Sequence, residues 1–408
     1  MAYKMKWLSG DYKERIMAVC NELGISYEKL SNCPRCYNDE FIAFQWIDAD
    51  KHCDYIDDST PAKILMTIIE EDGELTITPA EDIKEYLKCD GGAEKANKCV
   101  SSIIGLAIGD AMGVPLEFTA REKLLEQPVT SMLGYGSHNM PAGSWSDDTT
   151  MTICEIESFN RNNKFDYDDI MTNYIKWVMD GEYTPEGKLF DIGRTCLKSI
   201  MKYYKGEAIP IECGGASINS NGNGSLMRIL PVALYSFYQK LDERSIINLT
   251  NEMSSLTHRH DISKLGCYIY VRYVMFLLDG FSKEECYLKL KELDYSAYNK
   301  DAIETYGRIL NDDIRKYKLD DINSSGYVVD TLEASLWVLL NTESFDQAII
   351  GAINFGQDTD TIGAVVGSMA GIIYDYEAIP GSWIRKLIKK DYLVELANEF
   401  DALIKTAN

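Results

Sequence analysis

Carboxylates and hydroxyls concentrate at two places along this chain. One is Trp145-Ser146-Asp147-Asp148-Thr149-Thr150, and the other is Gly356-Gln357-Asp358-Thr359-Asp360-Thr361-Ile362-Gly363. Asp358 and Asp360 are two apart and cannot share a helix face, so they converge on one point only where the backbone is not yet helical. A helix N-terminus is such a place, and negative charge is favoured there. Asp147 and Asp148 likewise precede a helical stretch, Met151 to Phe159. If the fold joins the two clusters, four aspartates share one pocket. At ~4 Å each like-charge pair costs roughly 1 to 4 kcal/mol at dielectrics between water and a protein surface. Cations must then neutralise them. All-oxygen ligands are hard, which points to Mg²⁺, Mn²⁺ or Ca²⁺ rather than zinc, and the number of carboxylates suits a two-metal site. The plainer reading is that each cluster only caps a helix; the presence of both in one chain weighs against it.

Other stretches could complete such a site. Gly105, Gly109 and Gly113 recur every fourth residue, as do Gly363, Gly367 and Gly371. Residues four apart share a helix face, so each set opens a flank on which another helix can come close. Asp110 falls inside the first apolar segment, where a charge needs a partner; it either bonds the backbone of the acidic loops or takes part directly. Glu117 follows Pro115 and Leu116, where that helix should end, and either faces a pocket or is a solvated loop carboxylate. Thr119 to Gly143 is a long connection containing Gly134-Tyr135-Gly136, and loops of that length inside a compact domain are usually functional. Asn219 to Ser225 is a glycine-rich turn expected to open a helix, whose free amides would suit a diphosphate. Arg228, expected inside that helix, could pair with a buried aspartate such as Asp110. His258 ends a helix; of the four histidines it alone adjoins a motif, and none adjoins an aspartate cluster.

Four of these stretches together, Gly105 to Phe118, Trp145 to Thr150, Gly222 to Arg228 and Gly356 to Gly363, resemble the ADP-ribosylglycohydrolase family in its motif order. The resemblance covers roughly residues 97 to 390 and leaves out the first ninety. It implies an all-α catalytic domain that releases ADP-ribose by cleaving its glycosidic bond to a modified side chain or a small acceptor. Two Mg²⁺ (or Mn²⁺) would be held by Ser146, Asp147, Asp148, Asp358, Asp360 and Thr361. Catalysis would involve Glu117, beside the scissile ribose, with Asp148 and Asp358. Substrate contacts would come from Gly134, Tyr135 and Gly136 of a mobile flap, from Gly222, Asn223, Gly224 and Ser225, and from His258. Gln357 stands where the family often has glycine, but both aspartates remain. The alternatives are a non-catalytic ADP-ribose-binding module and a dinuclear-metal phosphoesterase, the latter usually richer in histidine around its metals.

The elements that must position these residues are mostly helical. From Ala93 on, helical periodicity runs through Phe165–Met179, Gly187–Tyr204, Ser225–Tyr238, Arg244–Leu256, Ile262–Leu278, Lys283–Leu293, Ala302–Tyr317, Tyr327–Leu340, Phe345–Asn354, Thr361–Tyr374 and Ile384–Leu403. The expected fold is therefore one compact multi-helix all-α domain over residues 93–408, preceded by a small α+β domain over residues 1–92. In the latter, Lys13–Leu23 is helical and Glu40–Ile47 a strand. Lys63–Ile69 and Glu74–Thr78 read as a hairpin through Asp72-Gly73, followed by a helix from Ala80 to Leu87 and a joint at Asp90-Gly91-Gly92. Cys33-Pro34-Arg35-Cys36 has no second CxxC to complete a zinc site, which favours ordinary thiols. This unit is expected to dock a protein partner or simply to cap the helical domain.

Composition bounds the rest. A formal charge of −23 argues against a nucleic-acid partner, because phosphate neutralisation needs a basic surface. No apolar run reaches the 18 or so residues that would cross a bilayer, and no membrane partner is expected. Eleven cysteines, scattered through helices, fit reduced thiols in the cytoplasm. The expected partner is an ADP-ribosylated protein or a small ADP-ribosyl compound.

Overall fold

A computed structural model describes residues 11–25, 27, 41–42, 44–48, 53–54, 63–71, 74–81, 83 and 96–406. The chain divides into two compact units, Met1–Lys95 and Ala96–Asn408. In the first, the helix Asp11–Glu22 is stopped at Gly24, whose φ is +66°. Four strands form a mixed sheet in the order Cys53–Asp54, Gln45–Asp48, Met66–Glu71, Glu74–Pro79. The central pair is parallel, with Trp46 opposite Ile68, and the last pair is antiparallel, with Ile68 opposite Ile77 and Glu71 opposite Glu74. That last register is the expected hairpin. The expected single strand is instead two, Phe41–Ile42 and Gln45–Asp48. Ile16, Cys20, Ile25, Leu65, Met66, Ile68 and Ile83 form the core of this unit. Cys33, Cys36 and the Asp90-Gly91-Gly92 joint lie outside the described residues, as does most of Ala80–Leu87.

The second unit is helical throughout, with only isolated β-bridges among its described residues. Its centre is a pair of helices, Lys98–Gly113 and Thr359–Tyr374. A Cβ placed on Gly105 would stand 2.2 Å from the Gly367 carbonyl oxygen, and one on Gly109 only 1.8 Å from that of Gly363. One on Gly371 would stand 2.1 Å from the Ser101 carbonyl oxygen. As residue number rises on one helix it falls on the other, so the pair is antiparallel and lies backbone against backbone. The two sets of glycines face each other. At this separation Cα–H groups can approach carbonyl oxygens across the interface. The segment Lys98–Leu116 is 19 residues long and apolar enough to cross a bilayer, which corrects the expectation that no run reaches that length. Apart from Lys98 at its start it is buried inside the unit and reads as its core helix.

Several expected helices are interrupted, each for a local reason. Gly187–Tyr204 becomes helical only at Arg194, because Gly187 and Asp191 both take left-handed φ. Ser225–Tyr238 becomes helical only at Leu230, where Pro231 occupies the first turn and needs no amide donor. Ala302–Tyr317 breaks into Lys300–Thr305, Gly307–Leu310 and a 3-10 turn at Ile314–Lys316. Tyr306 marks the first break and sends its hydroxyl to the Ile262 carbonyl at 2.8 Å. Ile384–Leu403 divides into Gly381–Lys386 and Lys390–Thr406, with Ile388 N–H donating to Gly143 O at 3.1 Å in the gap. The long Thr119–Gly143 connection carries a short helix, Arg121–Glu126.

If the central pair holds the unit together, Gly109→Ala should cost more than the roughly 1–3 kcal/mol typical of overpacking, since both atoms that clash belong to backbone. Gly307→Ala, whose Cβ would meet only Asn311 Nδ2 at 3.6 Å, is the matched control. Thermal unfolding should show a large fall for the first and almost none for the second. Equal midpoints would contradict backbone contact.

Candidate active site

The antiparallel register brings the end of one central helix to the start of the other. A Cβ on Gly113 would lie 2.3 Å from Asp360 Cα, and Thr359 Oγ1 donates to the Gly113 carbonyl at 2.8 Å. Asp358 stands at the N-cap of the second helix with φ −93° and ψ 71°, and Asp360 lies in its first turn. The helix Asp147–Asn162 supplies the other pair, capped by Ser146. Asp110 settles where this helix starts. Its Oδ1 accepts from Ser146 N–H at 2.8 Å, and its Oδ2 accepts from Thr149 N–H at 3.1 Å and Thr149 Oγ1 at 2.6 Å. The structural role for Asp110 is thus the one seen, and it points one acidic loop at the other.

The two acidic clusters meet. Ligand oxygens of Asp110, Asp148 and Asp360 lie within 4.8 Å of one another, and so do ligand atoms of Glu117, His138, Asp191 and Asp360. Asp360 belongs to both groups. The remaining two aspartates have partners of their own. Asp147 Oδ2 accepts from Gly193 N–H at 3.3 Å, and Asp358 Oδ2 accepts from Asn223 Nδ2 at 2.7 Å. Burial, followed by repulsion from neighbouring carboxylates, pushes Asp147, Asp148 and Asp360 well above the usual carboxylate range. Asp110 is raised to about 6 by burial against its hydrogen bonds. Two buried oxygens, Asp148 Oδ1 and Asp360 Oδ2, have no hydrogen-bond partner. Thr361 is buried beside them and donates its backbone N–H to Asp360 Oδ1 at 3.0 Å. Buried, unpartnered carboxylate oxygens facing other carboxylates are what a hard cation would satisfy, so the donor set fits a divalent metal.

Glu117 is buried and lies with this centre, and burial raises its carboxyl to about 7 against a hydrogen bond from His138. Two neighbours here escaped the sequence reading. His138 bonds Glu117 directly, which corrects the expectation that no histidine adjoins the aspartates. Asp191 sits at φ +49° in the loop before Arg194, a stretch whose periodicity had read as helix. Its charge is felt by Asp147, Glu117 and His138. Gln357 takes φ +62°, a conformation that suits the glycine often found there.

The Gly222–Ser225 loop does not open a helix; turns run from Gly224 to Arg228, and the amide-ended helix expected there is replaced by pairing with another segment. Asn223 N–H donates to Gly326 O at 3.0 Å, and Asn223 Nδ2 reaches both Thr331 Oγ1 and Asp358. Ser225 is fully buried against Ser254 Oγ at 3.0 Å. His258 lies beneath this loop, its Nε2 at 3.5 Å from where a Gly222 Cβ would stand. Burial and the charge of Arg228 lower His258 to about 3, so it is neutral. Arg228 pairs with Glu155 rather than with Asp110, both fully buried, and its other nitrogens donate to Gly224 O, Met253 O and Thr257 Oγ1. Gly134, Tyr135 and Gly136 are on the loop that carries His138, and Tyr135 is exposed.

An all-helical unit whose helix starts bring two aspartate clusters into one buried centre, with a glycine-rich loop against it, defines an ADP-ribosylglycohydrolase. The model of that family matches residues 92–408, and the chain belongs to it. It is a glycohydrolase enzyme. It is 32% identical over 310 residues to the ADP-ribosylarginine hydrolase Tri1 of Serratia proteamaculans (strain 568), covering 75% of this chain and 80% of that one. With the ADP-ribosyl-dinitrogen reductase glycohydrolase of Rhodospirillum rubrum it shares 28% identity over 327 residues, covering 78% and 98%. A solved structure described as an ADP-ribosylglycohydrolase-related protein complex superposes with a TM-score of 0.64 at 26% identity, covering 76% of this chain and 99% of that one.

Removing one member of the Arg228–Glu155 pair strands a buried charge, so Arg228→Ala should cost about 3–5 kcal/mol. Unfolding midpoints should fall for this variant and fall less for the double variant Arg228→Met/Glu155→Leu. Equal stability of wild type and Arg228→Ala would show that the pair is not holding the Gly224 loop.

Proposed function

We propose that this chain is a divalent-metal-dependent hydrolase that releases ADP-ribose from the arginine side chain of a modified protein. The observation that carries the reading is the pair of unpartnered buried oxygens on Asp148 and Asp360, which come from the two separate acidic clusters. Two Mg²⁺, or Mn²⁺, would be held by Ser146, Asp147, Asp148, Asp358, Asp360 and Thr361. When bound, such ions supply Lewis acidity and neutralise charge next to the ribose hydroxyls.

The chain's own groups supply the rest. The Gly222–Ser225 loop would contact ribose and diphosphate, and the Asn223–Asp358 hydrogen bond keeps that loop in register with the acidic centre. Glu117, raised to about 7, can carry a proton near neutrality and deliver it from its carboxyl to the departing acceptor nitrogen; water would then add at the ribose carbon and return one proton to Glu117. Carboxylates of Asp148 and Asp358 would stabilise the oxocarbenium character that develops at the ribose. An arginine acceptor is favoured because Asp191 sets a carboxylate beside the proton-carrying Glu117, and a guanidinium pairs with a carboxylate through parallel hydrogen bonds. The relatives named for ADP-ribosylarginine agree with this choice. Residues 1–92 are assigned to docking the protein target. A reducing compartment such as the cytoplasm belongs to the same proposal, since seven of the described cysteines are free and buried.

The test is incubation with ADP-ribosylated arginine, serine and nucleotide substrates, with Mg²⁺, Mn²⁺ or chelator. Free ADP-ribose from the arginine substrate, lost with chelator, is the expected result; AMP or phosphate would mean phosphoester cleavage instead. Divalent ions should also raise the unfolding temperature, and Asp360→Ala should stay folded but lose that rise. An equal rise in the variant would remove the basis for the metal site.

A further inference from the structure

Glu117 comes just after the short 3-10 turn Val114–Leu116, and two consecutive residues of another loop hold it. Ser137 Oγ donates to the Glu117 backbone carbonyl at 2.5 Å, and His138 Nε2 hydrogen-bonds Glu117 Oε2. The main chain and the side chain of one carboxylate are therefore set by the same short segment. That segment is tightly turned. Tyr135, Gly136 and Asn139 all take left-handed φ, at +70°, +57° and +54°. Tyr135 N–H closes the turn on Met140 O, and Asn139 N–H donates to Gly136 O at 3.3 Å. A Cβ on Gly136 would stand 2.0 Å from the Pro115 carbonyl oxygen, so the loop backbone rests directly on the turn that carries Glu117. Left-handed tyrosine and asparagine are strained, and such strain persists only where the surroundings over-determine it.

The imidazole is held on its other sides as well. Its ring lies 6.0 Å from that of Phe118 and 5.6 Å from that of Phe190, which precedes Asp191. Opposite the His138 loop, the residue after Glu117 is tied to the aspartate loop. Phe118 N–H donates to Gln357 O at 2.7 Å, and Gln357 N–H donates to Thr119 O at 2.9 Å. Glu117 is thus clamped between the Asp358 loop on one side and the His138 loop on the other.

We propose that His138 is a positioning residue for Glu117, which makes the seating of residues 134–140 and the alignment of the Glu117 carboxyl a single event. The proposal rests on the reading that Glu117 faces the scissile bond. His138 reaches the reaction only through Glu117. Its loss should therefore lower turnover rather than binding, and a side chain that still donates a hydrogen bond should restore part of the rate.

The test uses the full chain with saturating Mg²⁺ and ADP-ribosylated arginine, comparing His138→Ala, His138→Gln, Glu117→Gln and the double variant His138→Ala/Glu117→Gln. Misplacement of a catalytic group by about 1 Å can cost about a hundredfold, so His138→Ala should lower kcat about 10- to 100-fold with KM within about threefold. His138→Gln should recover much of that loss. In the Glu117→Gln background, removing His138 should change kcat by less than about twofold, because residues acting as one unit are non-additive. Chymotrypsin cleavage after Tyr135, 63% exposed in the seated loop, should quicken in His138→Ala without substrate present. Additive losses in the double variant, a change confined to KM, or unaltered cleavage would each overturn the proposal. If His138→Ala does not fold, His138→Gln and its combination with Glu117→Gln give the same comparison. A wild-type chain that releases no ADP-ribose would overturn the functional reading and this one with it, whereas an active wild type with additive losses overturns the His138 role alone.

Discussion

The site exists because two helices of the catalytic unit touch through their backbones. Side chains of ordinary size would hold the axes about 8–10 Å apart and leave the register loose. Glycines at 105, 109 and 113 on one side and 363, 367 and 371 on the other remove that spacer. Carbonyl oxygens then sit where a Cβ would be, and the pair cannot slide without collision. Sliding matters because the acidic groups of the centre stand at the ends. Asp110 and Glu117 lie at or just past the end of one helix, and Asp358 and Asp360 open the other. A shift of one turn, roughly 5.4 Å, would separate Glu117 from the aspartates.

That register imposes an electrostatic cost which the unit distributes unevenly. Asp110 gives its oxygens to the backbone and hydroxyl of the Ser146–Thr149 turn. Asp358 takes the Asn223 amide, and Asp147 takes an amide from the Gly193 turn. Each of these carboxylates does structural work for a different loop. Asp148 Oδ1 and Asp360 Oδ2 are left without donors, the first on the helix that Asp110 holds in place and the second on a helix of the central pair. The part of the site most costly to bury is therefore the part an external cation would stabilise most.

Local signals in the chain announced much of this arrangement. Glycine spacing, the acidic helix starts and the hairpin register are all properties of neighbours in sequence, and the helix pairing and Asp110 contacts agree with them. What could not be read there depends on chain segments meeting across the fold. Glu155 becomes the partner of Arg228 only because a helix and a turn 73 residues apart pack together. His138 meets Glu117 through a loop in which Tyr135 and Asn139, as well as Gly136, take positive φ, and a positive φ at tyrosine leaves no compositional mark. Asp191 was hidden in a stretch with helical periodicity. Two more non-glycine residues at positive φ, Phe118 and Gln357, join the Glu117 turn to the aspartate loop, where sequence favours neither. The Asn219–Ser225 turn misled in the opposite direction: its composition suited a helix cap, but Asn223 N–H donates to Gly326 O and Asn221 O accepts from Val328 N–H instead.

Arg228 shows how the unit keeps the acidic centre open to a cation from outside. A guanidinium is already buried near it, close enough for its charge to bear on Cys196, which also feels Asp147 and Asp148. That charge is fully engaged elsewhere. Glu155 takes it as an ion pair, and three further donors go to Gly224, Met253 and Thr257. An arginine free to swing toward Asp148 would neutralise the centre internally and compete with a metal for the same oxygens. Locked in place, it supports the Gly224 loop from below and keeps His258 neutral beside it. The same packing therefore shapes the Gly224 loop and keeps this guanidinium from Asp148 and Asp360, whose charge an external ion would balance.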